Sequence, residues 1–165
     1  MKLPDLIKLE SHNGCWKDYI EAVYKVFKKD FIEDRTFYKN TIVALRKYPL
    51  LKDKEACFWH LTSQGKTEEE RTPDLRKCEK IGWIKPIIEF AKDKDIKFWK
   101  SKRKKGSSSV YEDRICLCYG DWEYLVVLAD RGDYILLWTA YPIDYGHTRR
   151  KLEKEFDLYQ ANTAS

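Results

Sequence analysis

The chain has 165 residues, of which 43% are hydrophobic and 15% aromatic, so it has the length of one ordinary domain and enough apolar bulk to bury a core. Its longest apolar run, residues 134–143, is about half of the roughly 20 residues that a membrane-spanning helix needs, which excludes such a helix. The net charge of +5 favours a polyanionic partner, although an excess of this size is small enough to be explained by solubility.

The cysteine pattern and the N-terminus indicate the compartment. None of the five cysteines forms a Cys-x-x-Cys pair, which argues against a zinc-knuckle or thioredoxin-like site. Cys116 and Cys118 lie two apart on a predicted strand, so we expect two buried thiols on one face. The first ten residues lack the apolar core and cleavage site of a signal peptide. We therefore expect a reduced, cytoplasmic protein with no membrane partner.

The N-terminal half predicts one helix and two strands. An Asn-Gly pair followed by apolar residues at helical spacing predicts a helix over residues 14–33. A short β-branched run predicts a strand over residues 41–45. Alternation of side chains over residues 55–63 predicts a second strand, which would place His60 and Thr62 on the same face.

The rest of the chain predicts helices around a sheet. In the sequence Thr72-Pro73-Asp74, threonine suits the helix cap and proline the first helical position. This pattern predicts a helix over residues 73–91, kinked near Pro86. Further strands are predicted near residues 96–100, 110–119, 124–130 and 134–141, with a closing helix at 147–159. Short Gly-containing connections between the last three strands indicate an antiparallel meander. The chain is therefore predicted to be a single α+β domain over residues 1–165, with N-terminal, central and C-terminal helices flanking an antiparallel sheet of four or more strands.

His60 and two nearby arginines are candidates for a site. An imidazole suits proton transfer near neutral pH. The alternative is a structural histidine that only packs and hydrogen-bonds among its neighbours on the strand. Arg71 and Arg76 bracket the predicted helix start, where guanidinium charge and backbone N–H groups suit a phosphate. Alternatively, both arginines are solvated or paired with the adjacent glutamates.

Two hydroxyls near the end of the last strand are further candidates. Thr139 and Tyr141 lie two residues apart and so share a face, where they could hold a phosphate. Ordinary sheet packing explains the same pair, because threonine and tyrosine favour strands.

The basic tract between two predicted strands is predicted to form a hairpin or a loop. It is also a candidate RNA-binding segment. Lysine and arginine side chains there can follow a nucleic-acid backbone while an aromatic ring stacks on a base, unless the tract is simply a solvated loop. The candidates are Trp99, Lys100, Lys102, Arg103, Lys104 and Lys105.

A metal-dependent nuclease is a weaker alternative. Carboxylates are present at Glu112, Asp113, Asp121 and Glu123, but no Glu-x-Lys strand element follows them. We therefore predict no metal site.

Three segments, FWHLTSQG, RTPDLRKCEKIGW and YILLWTAYPID, together with the helix DYIEAVYKVFKKDFI, resemble a bacterial and phage-associated family. Through its helices before an antiparallel sheet, an early histidine, a middle arginine and a Thr-Ala-Tyr strand, that family is similar to the barnase, EndoU, colicin and RelE group of ribonucleases. The resemblance implies metal-independent cleavage of RNA, in which a 2′-hydroxyl attacks its own phosphorus and leaves a cyclic phosphate, with no cofactor.

Carried onto this chain, the resemblance implies that His60 transfers a proton. Arg71 or Arg76 would stabilise the phosphorane charge, and Thr139 with Tyr141 would hold the phosphate. The second acid or base is open between His147, Tyr141 and a carboxylate. The strand bearing His60 should then lie close enough to the last strand for both to face one phosphate, with His60 within reach of an arginine of the 71–76 segment.

The sequence thus favours a toxin-like endoribonuclease with RNA as substrate and an antitoxin or immunity protein as a further partner. The alternative is a non-catalytic RNA-binding or protein-interaction module of the same fold.

Overall fold

A computed structural model describes residues 1–67, 69–104, 107 and 109–164. The helices are α1 (Trp16–Lys28), α2 (Ala56–Thr62), α3 (Leu75–Glu79), α4 (Ile84–Glu89) and α5 (Gly146–Thr163). Single turns of 3₁₀ or π helix lie at Leu9–His12, Lys29–Glu33 and Ile81–Trp83. The strands are β1 (Phe37–Tyr38), β2 (Thr41–Ala44), β3 (Ser63–Gln64), β4 (Thr72–Pro73), β5 (Ile96–Lys104), β6 (Tyr111–Tyr119), β7 (Tyr124–Asp130) and β8 (Ile135–Pro142).

Six of these strands form one mixed sheet in the order β1-β2-β8-β7-β6-β5. All neighbours pair antiparallel except β2 and β8, which are parallel. The predicted α+β class and the antiparallel meander over β6, β7 and β8 are confirmed.

The sheet packs helices on both faces, because successive side chains of a strand point to opposite sides. One face buries residues such as Leu117 and Val126 against the α1, α2 and α4 helices. The other face buries Cys116 and Cys118 against α5, whose Leu152 closes this second core. Both thiols are buried as predicted, and burial raises the pKa of each to about 12.

The predicted strand over residues 55–63 is wrong, because this segment forms helix α2. Its buried residues include Cys57, Phe58 and Leu61, a spacing that fits one face of a helix. Phe58 packs against the α1 ring of Phe27 at a centroid distance of 5.4 Å. His60 and Thr62 therefore do not share a face as predicted, because residues two apart in a helix point in different directions. The Thr62 hydroxyl instead donates a hydrogen bond to the Phe58 carbonyl oxygen.

The predicted helix over residues 73–91 is also corrected. Asp74, rather than Thr72, caps α3, and its carboxylate accepts hydrogen bonds from the backbone N–H groups of Arg76 and Lys77. The break falls at residues 81–83, and Pro86 sits in the first turn of α4, where a backbone N–H has no helical partner to lose.

Of the two predicted forms of the basic tract, the hairpin fits the structure and the loop does not. Residues 100–104 are the outer half of β5, which extends to Lys104 and pairs antiparallel with β6. Among the described residues, no helix is long and apolar enough to cross a membrane.

Candidate functional site

His60 lies between an arginine and a hydroxyl that are distant in sequence. Its Nδ1 is 2.9 Å from Nη2 of Arg71, and its Nε2 is 3.1 Å from Oγ1 of Thr139. The predicted nearness of His60 to the last strand and to an arginine of the 71–76 segment is therefore confirmed, although His60 reaches β8 from a helix.

The arginine determines the tautomer of His60. A guanidinium has only N–H donors, so Nδ1 must accept the hydrogen bond from Arg71. The neutral ring then carries its proton on Nε2 and donates it to the Thr139 hydroxyl. In this arrangement the ring can accept a proton only after Arg71 has turned to another acceptor.

Helix α2 can approach Thr139 because β2 is short. The pairing of β2 with β8 ends at Ala44 and Leu136, and α2 contacts β8. The rest of that edge of β8 is therefore open to a side chain from α2.

The pairing of β3 with β4 places Arg71 near the end of α2. These two strands pair Gln64 with Thr72, so Arg71, which directly precedes Thr72, lies close to the residues that follow α2. Gly65 allows the close return, since a Cβ there would lie 2.8 Å from the Glu70 carbonyl oxygen and its φ is +149°.

Two neighbouring depressions lie at this contact. A cleft of about 190 Å³ beside α2 is lined by His60, Arg71 and the exposed Arg46. A groove of about 440 Å³ on the α5 face of the sheet is lined by Thr139. Trp138 lines both depressions, so they lie next to each other at this residue.

The groove is mainly cationic. Arg103, Arg114 and Lys151 line it together with the exposed His147. Of the acidic groups, Glu155 lines it and is paired with Arg103 at 3.0 Å. An anionic polymer therefore suits this face better than a cationic one.

Tyr141 lines the same groove as Thr139, in agreement with the predicted shared face. Burial raises the pKa of Tyr141 to about 12. The phenol therefore stays protonated at neutral pH, so it can donate a hydrogen bond but is a poor base.

Arg76 lies apart from this cluster. Its guanidinium forms an ion pair with Asp144 at 2.7 Å, and its side chain is 64% exposed. Of the two candidate arginines, Arg71 is thus the one beside His60.

The basic tract divides between the two faces of β5. Arg103 points into the groove, whereas Lys100, Lys102 and Lys104 alternate with it and are exposed on the opposite side. Lys105 lies outside the described residues.

The prediction that Trp99 stacks on a base is wrong. Its side chain is 0% exposed and packs against Trp122 and Phe156 in the second core. Trp99 is buried because it lies on the face of β5 that α5 covers.

The sequence interpretation missed Arg46, Arg114 and Lys151. One signal was available in α5, where His147 and Lys151 are four residues apart and so share a helical face. Arg114 and Arg46 enter the site only through strand pairing, which local sequence does not specify.

Within the described part of the chain, no group of three or more histidine, cysteine, aspartate or glutamate side chains is placed to hold a metal ion. A scan of family models and searches of curated proteins and of solved structures find no match to the chain. The site geometry is therefore the main basis for a functional proposal.

Proposed function

We propose that the chain is a metal-independent endoribonuclease that binds RNA in the cationic groove. The observation that carries the proposal is the contact of one imidazole with both a guanidinium and a hydroxyl, beside this groove. These groups match the needs of phosphodiester transfer, which requires a proton carrier, a positive charge and a hydrogen-bond donor around one phosphate.

In the proposed reaction the 2′-hydroxyl oxygen attacks the adjacent phosphorus while the bond from phosphorus to the 5′-oxygen breaks. A base takes the proton of the 2′-hydroxyl, and an acid gives a proton to the 5′-oxygen. The products are a 2′,3′-cyclic phosphate and a 5′-hydroxyl.

Arg71 links binding to proton transfer. A phosphate oxygen competes with Nδ1 of His60 for the Arg71 guanidinium, because a charged acceptor makes the stronger hydrogen bond. Once Arg71 turns to the phosphate, the Nδ1 lone pair can accept the 2′-hydroxyl proton. Arg46, in the same cleft, adds a second positive charge for the phosphorane, and the Thr139 hydroxyl orients a phosphate oxygen.

Two groove residues are candidates for the other proton transfer. His147 is the second imidazole of the groove, exposed and stacked on Tyr145 at 5.6 Å. Tyr141 can act only as a proton or hydrogen-bond donor, given its raised pKa.

Toxin-like action and an antitoxin or immunity partner belong to the same proposal and rest on the resemblance.

A non-catalytic RNA-binding module is the second candidate. The observation that favours it is that both ring nitrogens of His60 are engaged by side chains, an arrangement that also serves to fix α2 on β8. In that case the groove binds RNA and leaves it intact.

The test is incubation of end-labelled RNA with the protein in excess chelator. The enzyme proposal predicts fragments that carry cyclic-phosphate ends. Binding without cleavage would support the module, and cleavage that the chelator abolishes would contradict metal independence.

A further inference from the structure

Trp138 is the residue at which β8 is irregular. Val127 of β7 pairs with Thr139 and the next residue, Leu128, pairs with Leu137, which leaves Trp138 as the extra residue of a β-bulge. A bulge re-aims a side chain, and here it allows Trp138 to line the groove beside Thr139. Trp138 stays 43% exposed.

An arginine covers part of this indole. The guanidinium carbon of Arg114 lies 3.9 Å from the ring centroid of Trp138, the distance of a stacked cation–π pair. The guanidinium carbon of Arg131 lies 5.9 Å from the same centroid.

A buried carboxylate fixes both arginines. Glu112 is 8% exposed, and its Oε1 accepts from Nε of Arg114 at 2.7 Å while its Oε2 lies 3.1 Å from Nε of Arg131. Two guanidinium groups share one carboxylate, so the surroundings of the indole keep a net positive charge. The ring thus stacks on a positive charge that a buried carboxylate holds in place, and Trp138 remains partly accessible to solvent.

We propose that Trp138 is a stacking platform for an unpaired nucleobase of single-stranded RNA. The inference rests on the proposed function, because it assigns a base position next to the phosphate placed between the His60–Arg71 pair and Thr139. Trp138 lines both the cleft and the groove, so a base on the indole belongs to a nucleotide adjacent to that phosphate. Bases of a duplex are covered by their neighbours, so the platform selects unpaired RNA.

The test measures binding of a fluorescently labelled single-stranded RNA to the full chain and to Trp138→Leu and Trp138→Phe. Loss of one base stack is expected to weaken binding by about 5- to 150-fold in Trp138→Leu. Trp138→Phe keeps an aromatic face and should retain most of the affinity. Trp16→Leu removes another exposed tryptophan, one that lies at the start of α1, and should bind like the unaltered chain.

Inorganic polyphosphate, used as a competitor, distinguishes stacking from charge. The Leu variant should bind polyphosphate as tightly as the unaltered chain does. An equal loss for RNA and polyphosphate would overturn the platform, since Trp138 would then act only through the neighbouring charges.

Two outcomes separate this inference from the proposed function. If the unaltered chain binds RNA and Trp138→Leu binds it equally tightly, the platform is wrong and RNA binding stands. If the unaltered chain binds no RNA, both the platform and the ribonuclease proposal fail.

Discussion

Replacing His60 with alanine is expected to lower the rate of RNA cleavage in chelator by about 10²- to 10⁴-fold, the usual contribution of a general acid or base. The substitution removes the only imidazole that contacts both Arg71 and Thr139 among the described residues. Single-turnover rates with saturating protein would measure the effect on the chemical step.

His60→Gln separates proton transfer from positioning. The carboxamide oxygen can accept from Arg71 while its nitrogen donates to Thr139, but the amide does not carry a proton at neutral pH. We expect this variant to bind RNA normally and to cleave as slowly as the alanine variant. His12→Ala is the matched control, because His12 lies in the 3₁₀ turn before α1 and lines neither depression. Unaltered cleavage by His60→Gln would mean that the imidazole moves no proton.

Glu112→Gln is expected to lower the free energy of unfolding by about 3 to 5 kcal/mol, the usual cost of removing one partner of a buried ion pair. The side chain of Glu112 is 6% exposed and that of Arg114 is 9% exposed, so the guanidinium would stay buried without a counter-charge. Arg131 would lose the same partner. Chemical denaturation of the purified variant measures the change.

Glu155→Gln provides the comparison for that effect. Glu155 pairs with Arg103, whose side chain is 45% exposed and so keeps its hydration when the carboxylate is lost. This substitution should lower the free energy of unfolding by less than about 1 kcal/mol. Equal losses in the two variants would show that the Glu112 pair contributes no more than a surface ion pair.

The C-terminal meander could be predicted from sequence because its determinants are local. Short connections containing Gly120 and Gly132 between consecutive predicted strands specify adjacent antiparallel strands. Both glycines adopt positive φ values, +67° and +82°, in these connections.

The element that carries His60 was mispredicted because its short sequence fits both the two-residue period of a strand and the 3.6-residue period of a helix. Cys57, Trp59 and Leu61 alternate as in a strand, yet burial follows the helical set with Phe58. Contacts with the distant α1 helix decide between the two, and local sequence does not contain them. The predicted proximity of His60 to Thr139 is confirmed all the same, while its catalytic role stays a prediction.

The groove depends on strand pairing and could not be assembled from local patterns. Arg103 and Arg114 come from neighbouring strands, and Trp138 joins them only because β8 is bulged at that residue. Strict alternation from Thr139 would place Trp138 on the opposite face. Trp99 was predicted as the stacking residue because it directly precedes the basic tract in the sequence.

The most direct test of the ribonuclease proposal uses two oligonucleotides of one sequence, ordinary RNA and its fully 2′-O-methylated form, in excess chelator. The 2′-hydroxyl is the proposed nucleophile, so the protein should bind both and cleave only the unmodified one, which leaves a cyclic phosphate at each new 3′ end and a hydroxyl at each new 5′ end. Cleavage of both oligonucleotides, or binding of both without cleavage of either, would contradict the proposal.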